Sequence, residues 1–249
     1  MNTKEWFVDW FNTHYYHILY KKRDNKEAQD FIDAILKHLR DINAFTHQDY
    51  TLHALDLACG KGRHSLYLNK HGLKVTGMDL ASESIKEASV NNSATLNFVV
   101  QDMRNAMGEN QYDFVFNLFT SFGYFNTDEE ELLVLNNVYR ALKPGGYFVF
   151  DFLNAEKVKS STCNSESKTL EGIEFSYSKR IENNFVFKDI VIKDKNERFE
   201  FQEKVKLLDN KTMTSLLEKA NFKIKERFGN YKLDNFDKDS DRLIIISQK

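Results

Sequence analysis

Hydrophobic positions change their spacing along this chain, and each change predicts a different kind of structure. In the first fifty residues apolar side chains recur at helical intervals, with Phe31, Ile35, Leu36 and Leu39 on one face behind a capping box at Asp24 and Glu27. Ahead of them Trp6, Phe7, Trp10, Phe11, Tyr15, Tyr16 and Tyr20 form an aromatic face. A face this apolar needs a partner surface and is expected to lie over the domain that follows.

From residue 52 short apolar runs alternate with amphipathic stretches. The pattern predicts strands over 52–58, 73–79, 96–100, 112–118 and 146–153. Helices are expected between them over 63–71, 82–92 and 127–142, the last capped by Thr127 and Glu130. Buried-type strands alternating with helices imply an α/β fold with a parallel sheet covered on both faces. Near Asn154 the rhythm breaks. Residues 173–181, 185–192 and 198–207 read as an antiparallel meander, with turn chemistry at Asn183-Asn184 and Lys195-Asn196. A helix over 212–220 and strands over 222–228 and 242–247 then resume the α/β pattern. The expected organisation is an N-terminal helical cap (1–50), a core made of 51–153 and 210–249, and an antiparallel β insertion (154–209) after the fifth strand.

Composition narrows the class. At 249 residues one elaborated domain is favoured over two independent ones. A single proline and ten glycines leave no room for Pro-rich linkers, and no repeat is visible. A net charge of -2 and a pI near 6.4 give no basic footprint for nucleic acid; even the Lys-rich stretch 219–227 alternates with acids. Cys59 and Cys163 match no metal-ligand spacing and read as reduced thiols. No signal-peptide core or membrane-length apolar run occurs, so a cytoplasmic protein without a membrane partner is expected.

Candidate chemistry begins at residues 55–65, Leu-Asp-Leu-Ala-Cys-Gly-Lys-Gly-Arg-His-Ser, a strand running into a glycine turn that opens a helix. Glycine lets backbone approach a ligand, and the free N–H groups of the helix start suit a carboxylate or a phosphate equally. Asp79 ends the second strand, where an acid accepts from both ribose hydroxyls or caps the next helix. After the third strand come Gln101, Asp102 and Met103; an acid followed by an apolar residue can hold adenine, or form a plain loop.

In order and spacing, Leu55 to Gly62, Asp79, Gln101 to Met103 and the Lys-Pro-Gly-Gly of 143–146 resemble the motifs of class I S-adenosylmethionine-dependent methyltransferases. The resemblance covers 50–153 and 210–249 and implies a Rossmann-like seven-stranded sheet with helices on both faces, residues 242–247 being its antiparallel seventh strand. It implies S-adenosyl-L-methionine as cofactor. Gly60 and Gly62 would line its methionine part, Asp79 would hold the ribose, and Asp102 and Met103 would hold adenine, with Asp56, Ala58, Cys59, His64 and Leu80 as further cofactor-binding candidates. Asn117, Leu118 and Phe119 would face the sulfonium and the acceptor.

Methyl transfer asks for positioning more than for acid–base chemistry, because the sulfonium is already activated. The candidates are therefore aromatic walls and polar holders: Tyr16 and Arg23 from the N-terminal segment, Phe122 and Tyr124 after the fourth strand, and Arg180, Phe201, Glu203 and Tyr231 as roof. Tyr16 and Tyr124 are the preferred positioning residues. Asp151 reads as a solvated strand-end acid or a substrate ligand. The N-terminal cap and the insertion resemble the small-molecule, N-methyltransferase-like branch, whether monomer or homodimer, so the expected reaction is transfer to a small N or O acceptor. No metal is expected. The rivals are a nucleic-acid or protein methyltransferase, a NAD-type oxidoreductase and a non-catalytic nucleotide-binding module. Against them stand Asn117-Leu118-Phe119-Thr120 without a proline pair, and Ser65 where a dinucleotide fingerprint has glycine.

Overall fold

The computed structural model describes residues 5–21, 25–45, 51–161 and 165–249. Arg23 and Cys163, and Asp24 of the expected capping box, lie outside these residues. The aromatic N-terminal face does not form one helix. It divides into α1 (Trp6–Trp10) and α2 (His14–Leu19) because the Thr13 hydroxyl accepts from the Tyr16 amide and starts a new helix. Helix α3 (Asn25–Asp41) follows.

Next come β1 (His53–Leu57), α4 (Arg63–Lys70), β2 (Lys74–Asp79), α5 (Ser82–Ala88), β3 (Leu96–Val100), β4 (Tyr112–Asn117), α6 (Asp128–Ala141) and β5 (Leu142–Leu153). The chain returns through α8 (Asn210–Lys219), β10 (Lys223–Phe228) and β11 (Arg242–Gln248), with the insertion between. The resulting Rossmann-like sheet has the order β10-β11-β5-β4-β1-β2-β3. β11 alone runs opposite to the other six strands, and it sits between β5 and β10 rather than at the edge. Strand alternation divides the core in two. Phe114 and Phe116 join Phe31 and Ile35 of α3 on one face, while Val115 joins the cluster of α6 and α8 on the other. Each of these fully buried apolar side chains contributes roughly 1.5–3 kcal/mol.

The insertion opens with α7 (Ala155–Ser160) and forms a four-stranded meander of β6 (Ser165–Leu170), β7 (Ile173–Glu182), β8 (Phe185–Asp194) and β9 (Glu197–Lys206). One strand more is present than the hydrophobic pattern predicts. β6 is an edge strand reading Ser-Glu-Ser-Lys-Thr-Leu, too polar to register. Asn183 and Asn184 both take positive φ, as a two-residue hairpin turn requires. The N-terminal helices bridge the two sheets: Phe7 packs into the α/β core, whereas Trp10, Tyr15 and Leu19 pack on Phe175, Ile190 and Ile192 of the meander.

Candidate active site

A cavity of about 360 Å³ opens at the carboxyl ends of β1, β2, β3 and β4, under a roof of α1 and α2. This is where an open α/β sheet reverses its strand order and binds ligands. Its floor is the turn after β1, in which Ala58, Gly60 and Gly62 all take left-handed φ. The two glycines face opposite ways. A Cβ on Gly60 would meet open space, while one on Gly62 would lie 2.5 Å from the Phe98 ring. Gly60 therefore lines the cavity, and Gly62 lets α4 pack against β3.

Asp79 fixes the turn. Its carboxylate accepts from the Gly60 amide at 2.7 Å and from the Ala81 amide at 2.8 Å, leaving further lone pairs toward the cavity it lines. Burial raises its pKa, opposed by these amides. Beneath the turn Asp56 is fully enclosed and accepts from Ser65 Oγ at 2.6 Å; burial pushes its pKa to about 6 against that hydrogen bond. Cys59, in the cavity wall, is a buried thiol held well above the ordinary thiol range by burial and by the charges of Asp56 and Asp79.

Asp102 is gripped by Arg104. The guanidinium donates to both Asp102 oxygens, forks onto both oxygens of Glu5 at 2.7 Å, and reaches Glu130 at 3.1 Å. Burial opposes ionisation of Asp102, but the hydrogen bonds and charge of Arg104 outweigh it and hold the pKa low. The same guanidinium lies 4.8 Å from the centre of the Phe125 ring.

The loop after β4 carries consecutive positive φ at Phe119 and Thr120, a strained arrangement for residues with side chains. Asp151 and Arg242 hold it. Asp151 Oδ2 accepts from the Phe119 amide at 2.7 Å, its Oδ1 accepts from Arg242 Nε at 2.8 Å, and Arg242 Nη2 donates to Thr120 Oγ1 at 2.9 Å. Phe119 is thereby aimed into the cavity, stacked on His64 at 4.9 Å with Arg63 over its ring. Asp151, read from sequence as a solvated acid or substrate ligand, is instead fully buried behind the loop.

A second cavity of about 260 Å³ lies between this loop, the N-terminal helices and the meander. Phe11, Tyr16, Phe119, Ser121 and Tyr124 line both cavities.

Of the expected cofactor residues, the structure brings Ala58, Cys59, Gly60, His64, Asp79, Leu80, Asp102, Met103, Leu118 and Phe119 to one cavity. Asp56, Gly62 and Asn117 are outside its walls. Asp56 and Gly62 support the turn from below. Asn117 is fully buried and donates its amide to Leu57 O and Ser121 O. Tyr16 and Tyr124 sit at the junction of the cavities, and Glu203 lines the second.

Phe122 is a core residue, edge-on to Phe150. Arg180 neighbours Lys179, which lines the second cavity, so strand alternation turns it to the other face, where it pairs with Asp189 and covers Phe187. Tyr231 stands outside both walls, packed at a tilt against the rings of Phe31 and Phe119. Phe201 packs on Trp10. Asn12 and Lys21 also line the cavity and carry no signal in the sequence pattern, whereas Phe11 and His17 belong to the aromatic N-terminal segment that reads as a candidate wall with His14, Tyr15, Tyr16 and Tyr20; the break at Thr13 decides which of its side chains turn inward.

The donor set fits a nucleoside carrying a sulfonium and an amino-acid tail. It offers an open glycine turn, an acid at the second strand, an apolar slot at Leu80 and Met103, and aromatic faces for a cation. Among the described residues no cluster of metal-ligating side chains occurs, and no helix is long and apolar enough to cross a membrane.

Residues 54–146 match the family described as a methyltransferase domain. YqeM of Bacillus subtilis (strain 168), a candidate methyltransferase, is 37% identical over 107 residues, 42% of this chain and 43% of YqeM. The chain thus spans less than half the length of that curated relative. A crystal structure of an S-adenosylmethionine-dependent methyltransferase from Clostridium acetobutylicum ATCC 824 superposes with a TM-score of 0.78 at 20% identity, covering 94% of this chain and 95% of that one. The S-adenosylmethionine-bound amino pentose methyltransferase CalS10 of Micromonospora echinaspora gives 0.65 at 16% identity, covering 95% and 97%. These two likenesses speak to the fold.

Proposed function

We propose, from a chain whose core is a class I S-adenosylmethionine-dependent methyltransferase domain, that the protein moves a methyl group from S-adenosylmethionine to a nitrogen or oxygen of a small molecule. The observation that carries this reading is the pair of joined cavities, one with the motif residues and one without, sharing an aromatic neck. A second chamber of about 260 Å³ suits a small acceptor better than a polymer.

The cofactor supplies an electrophilic methyl on a sulfonium. This chain positions the rest. Asp79 offers its remaining lone pairs to the ribose, and Gly60 lets the amino-acid tail approach the backbone. Asp102 and Met103 take the adenine edge and face. Phe11, Tyr16, Phe119 and Tyr124 favour positive charge at the neck and exclude water. Tyr16, Ser121 and Tyr124 at the neck would hold a neutral acceptor entering from the second chamber in line with the methyl group that the bound cofactor would supply, the thioether being the leaving group and any proton on the methylated acceptor passing to solvent. Such a step needs orientation rather than a catalytic triad.

Calorimetric titration with S-adenosylhomocysteine tests the reading, with NADH as control. Micromolar binding that is lost in Asp79→Ala supports it. Folded protein that ignores S-adenosylhomocysteine overturns it.

A further inference from the structure

The face of the meander that lines the second cavity is organised in rows. Across β7, β8 and β9, Ile181, Val186 and Val205 pair to give an apolar row. Two residues along, Lys179 is directly opposite Lys188, and Lys188 is directly opposite Glu203, giving a charged row on the same face. Two residues further, Tyr177, Ile190 and Phe201 form the row that packs on the N-terminal helices.

Within the charged row, one pair is internally compensated. The Tyr20 hydroxyl donates to Glu203 at 2.7 Å and accepts from Lys188 Nζ at 2.7 Å, and the Trp10 indole N–H also donates to Glu203. The Lys188 ammonium lies over the rings of Tyr20 and Tyr177, which keeps it in place. Lys179 is different. It is exposed at the cavity wall and makes no ion pair among the described residues, yet it faces a second lysine across the strands. Like charges directly opposite on a sheet repel, and since Lys188 is already served by Tyr20 and Glu203, Lys179 is the charge that an anion at the cavity wall would compensate. Neither lysine lines the first cavity.

We infer that the second cavity selects an anionic acceptor, a small molecule whose carboxylate or phosphate is held by Lys179 and Lys188 while its nucleophile reaches the neck at Tyr16, Ser121 and Tyr124. This rests on the methyl-transfer reading above. The apolar row beside the lysines takes the body of the molecule, so an acceptor with a hydrophobic scaffold and one anionic group matches the wall. Glu203, already accepting from Trp10 and Tyr20, is turned to its own network and does not select for a cation.

The experiment uses the full chain saturated with S-adenosylhomocysteine. Benzoate, phenyl phosphate, benzyl alcohol and benzylammonium are titrated in turn, and tryptophan fluorescence is read, since Trp6 lines the cavity. At least one of the two anions should bind about tenfold more tightly than the alcohol or the ammonium, a gap of about 1.4 kcal/mol. Comparing benzoate with phenyl phosphate tells a carboxylate from a phosphate. Lys179→Gln should shrink the preference to under about threefold, with S-adenosylhomocysteine affinity and thermal unfolding unchanged, and Lys188→Gln should shrink it likewise while lowering the unfolding temperature, because Tyr20, Tyr177 and Glu203 lose the ammonium. Equal binding of all four probes, tighter binding of the ammonium, or an anion preference that survives both substitutions overturns the inference. Failure to bind S-adenosylhomocysteine in the first step strikes the methyl-transfer reading instead, so the two failures are distinguishable.

Discussion

Arg104 and Glu5, 99 residues apart in sequence, meet in a bidentate ion pair with both N–O distances at 2.7 Å. Because the same guanidinium grips Asp102 in the cavity wall, one side chain ties the start of the roof helix to the wall after β3. Paired forks of this kind are among the stronger hydrogen-bonded contacts. Arg104→Ala should release S-adenosylhomocysteine about tenfold faster, which stopped-flow displacement would read directly. Glu5→Gln should reproduce much of that effect without touching Asp102.

The Asp79–Gly60 hydrogen bond makes a sharper demand. Asp79→Asn keeps the volume but turns one acceptor into a donor facing a backbone N–H. We expect S-adenosylhomocysteine affinity to fall by about tenfold to a hundredfold, in line with hydrogen bonds to a charged group. An unchanged dissociation constant by calorimetry would remove Asp79 from the site.

The two glycines of the turn should fail in different ways. Gly60→Val adds bulk where the cavity is open, so ligand affinity drops with a stability loss of about 1–2 kcal/mol from its positive φ. Gly62→Ala drives a methyl into Phe98 and should cost about 2–4 kcal/mol of folding stability. Parallel urea denaturation and ligand titration separate the outcomes.

This division was only partly legible beforehand. The order of strands and helices follows from apolar spacing, and the motif positions Gly60, Asp79 and Met103 reach the cavity because strand ends fix them. Sequence spacing does not say which way a residue faces once a turn adopts positive φ, and so Gly62 and Asn117 were grouped with their neighbours. Arg180 was misplaced by one residue of strand alternation, a slip that exchanges faces. The cavity wall formed by Lys188 and Val205 depends on how the meander docks, which periodicity does not encode.

Glu131, near the start of α6, provides a pH test. Its carboxyl is fully buried, and burial pushes its pKa from 4.5 up to about 8 against the weaker pull of Lys206 and of the Phe125 and Gly123 amides. An acid whose folded-state pKa is raised is protonated in the folded state while the unfolded chain has already ionised. Its contribution is therefore intact below pH 4.5, declines as pH rises to about 8, and is flat beyond. The total is on the order of 5 kcal/mol. Glu131→Gln should flatten the fall in unfolding free energy between pH 5 and about 8 relative to the parent, measured by urea midpoints. An identical slope would place the proton elsewhere.

Removing the loop's support should be costlier. Arg242→Ala leaves Asp151 as a buried, uncompensated carboxylate, so a loss of about 3–5 kcal/mol is expected. Arg242→Ala paired with Asp151→Asn should recover part of it, which thermal unfolding of the double variant would reveal.

The position of β11 has a consequence for synthesis. β5 is among the most apolar strands in the molecule, and one of its edges is covered only by β11, which arrives after the whole meander has been made. During translation that edge stays open for the length of the insertion, inviting pairing with another nascent chain. Once released, the protein must close this long-range contact late, which slows folding relative to a sheet built from sequential neighbours. Chaperone dependence and inclusion-body formation should therefore track the length and the folding speed of the insertion more closely than the stability of the finished sheet.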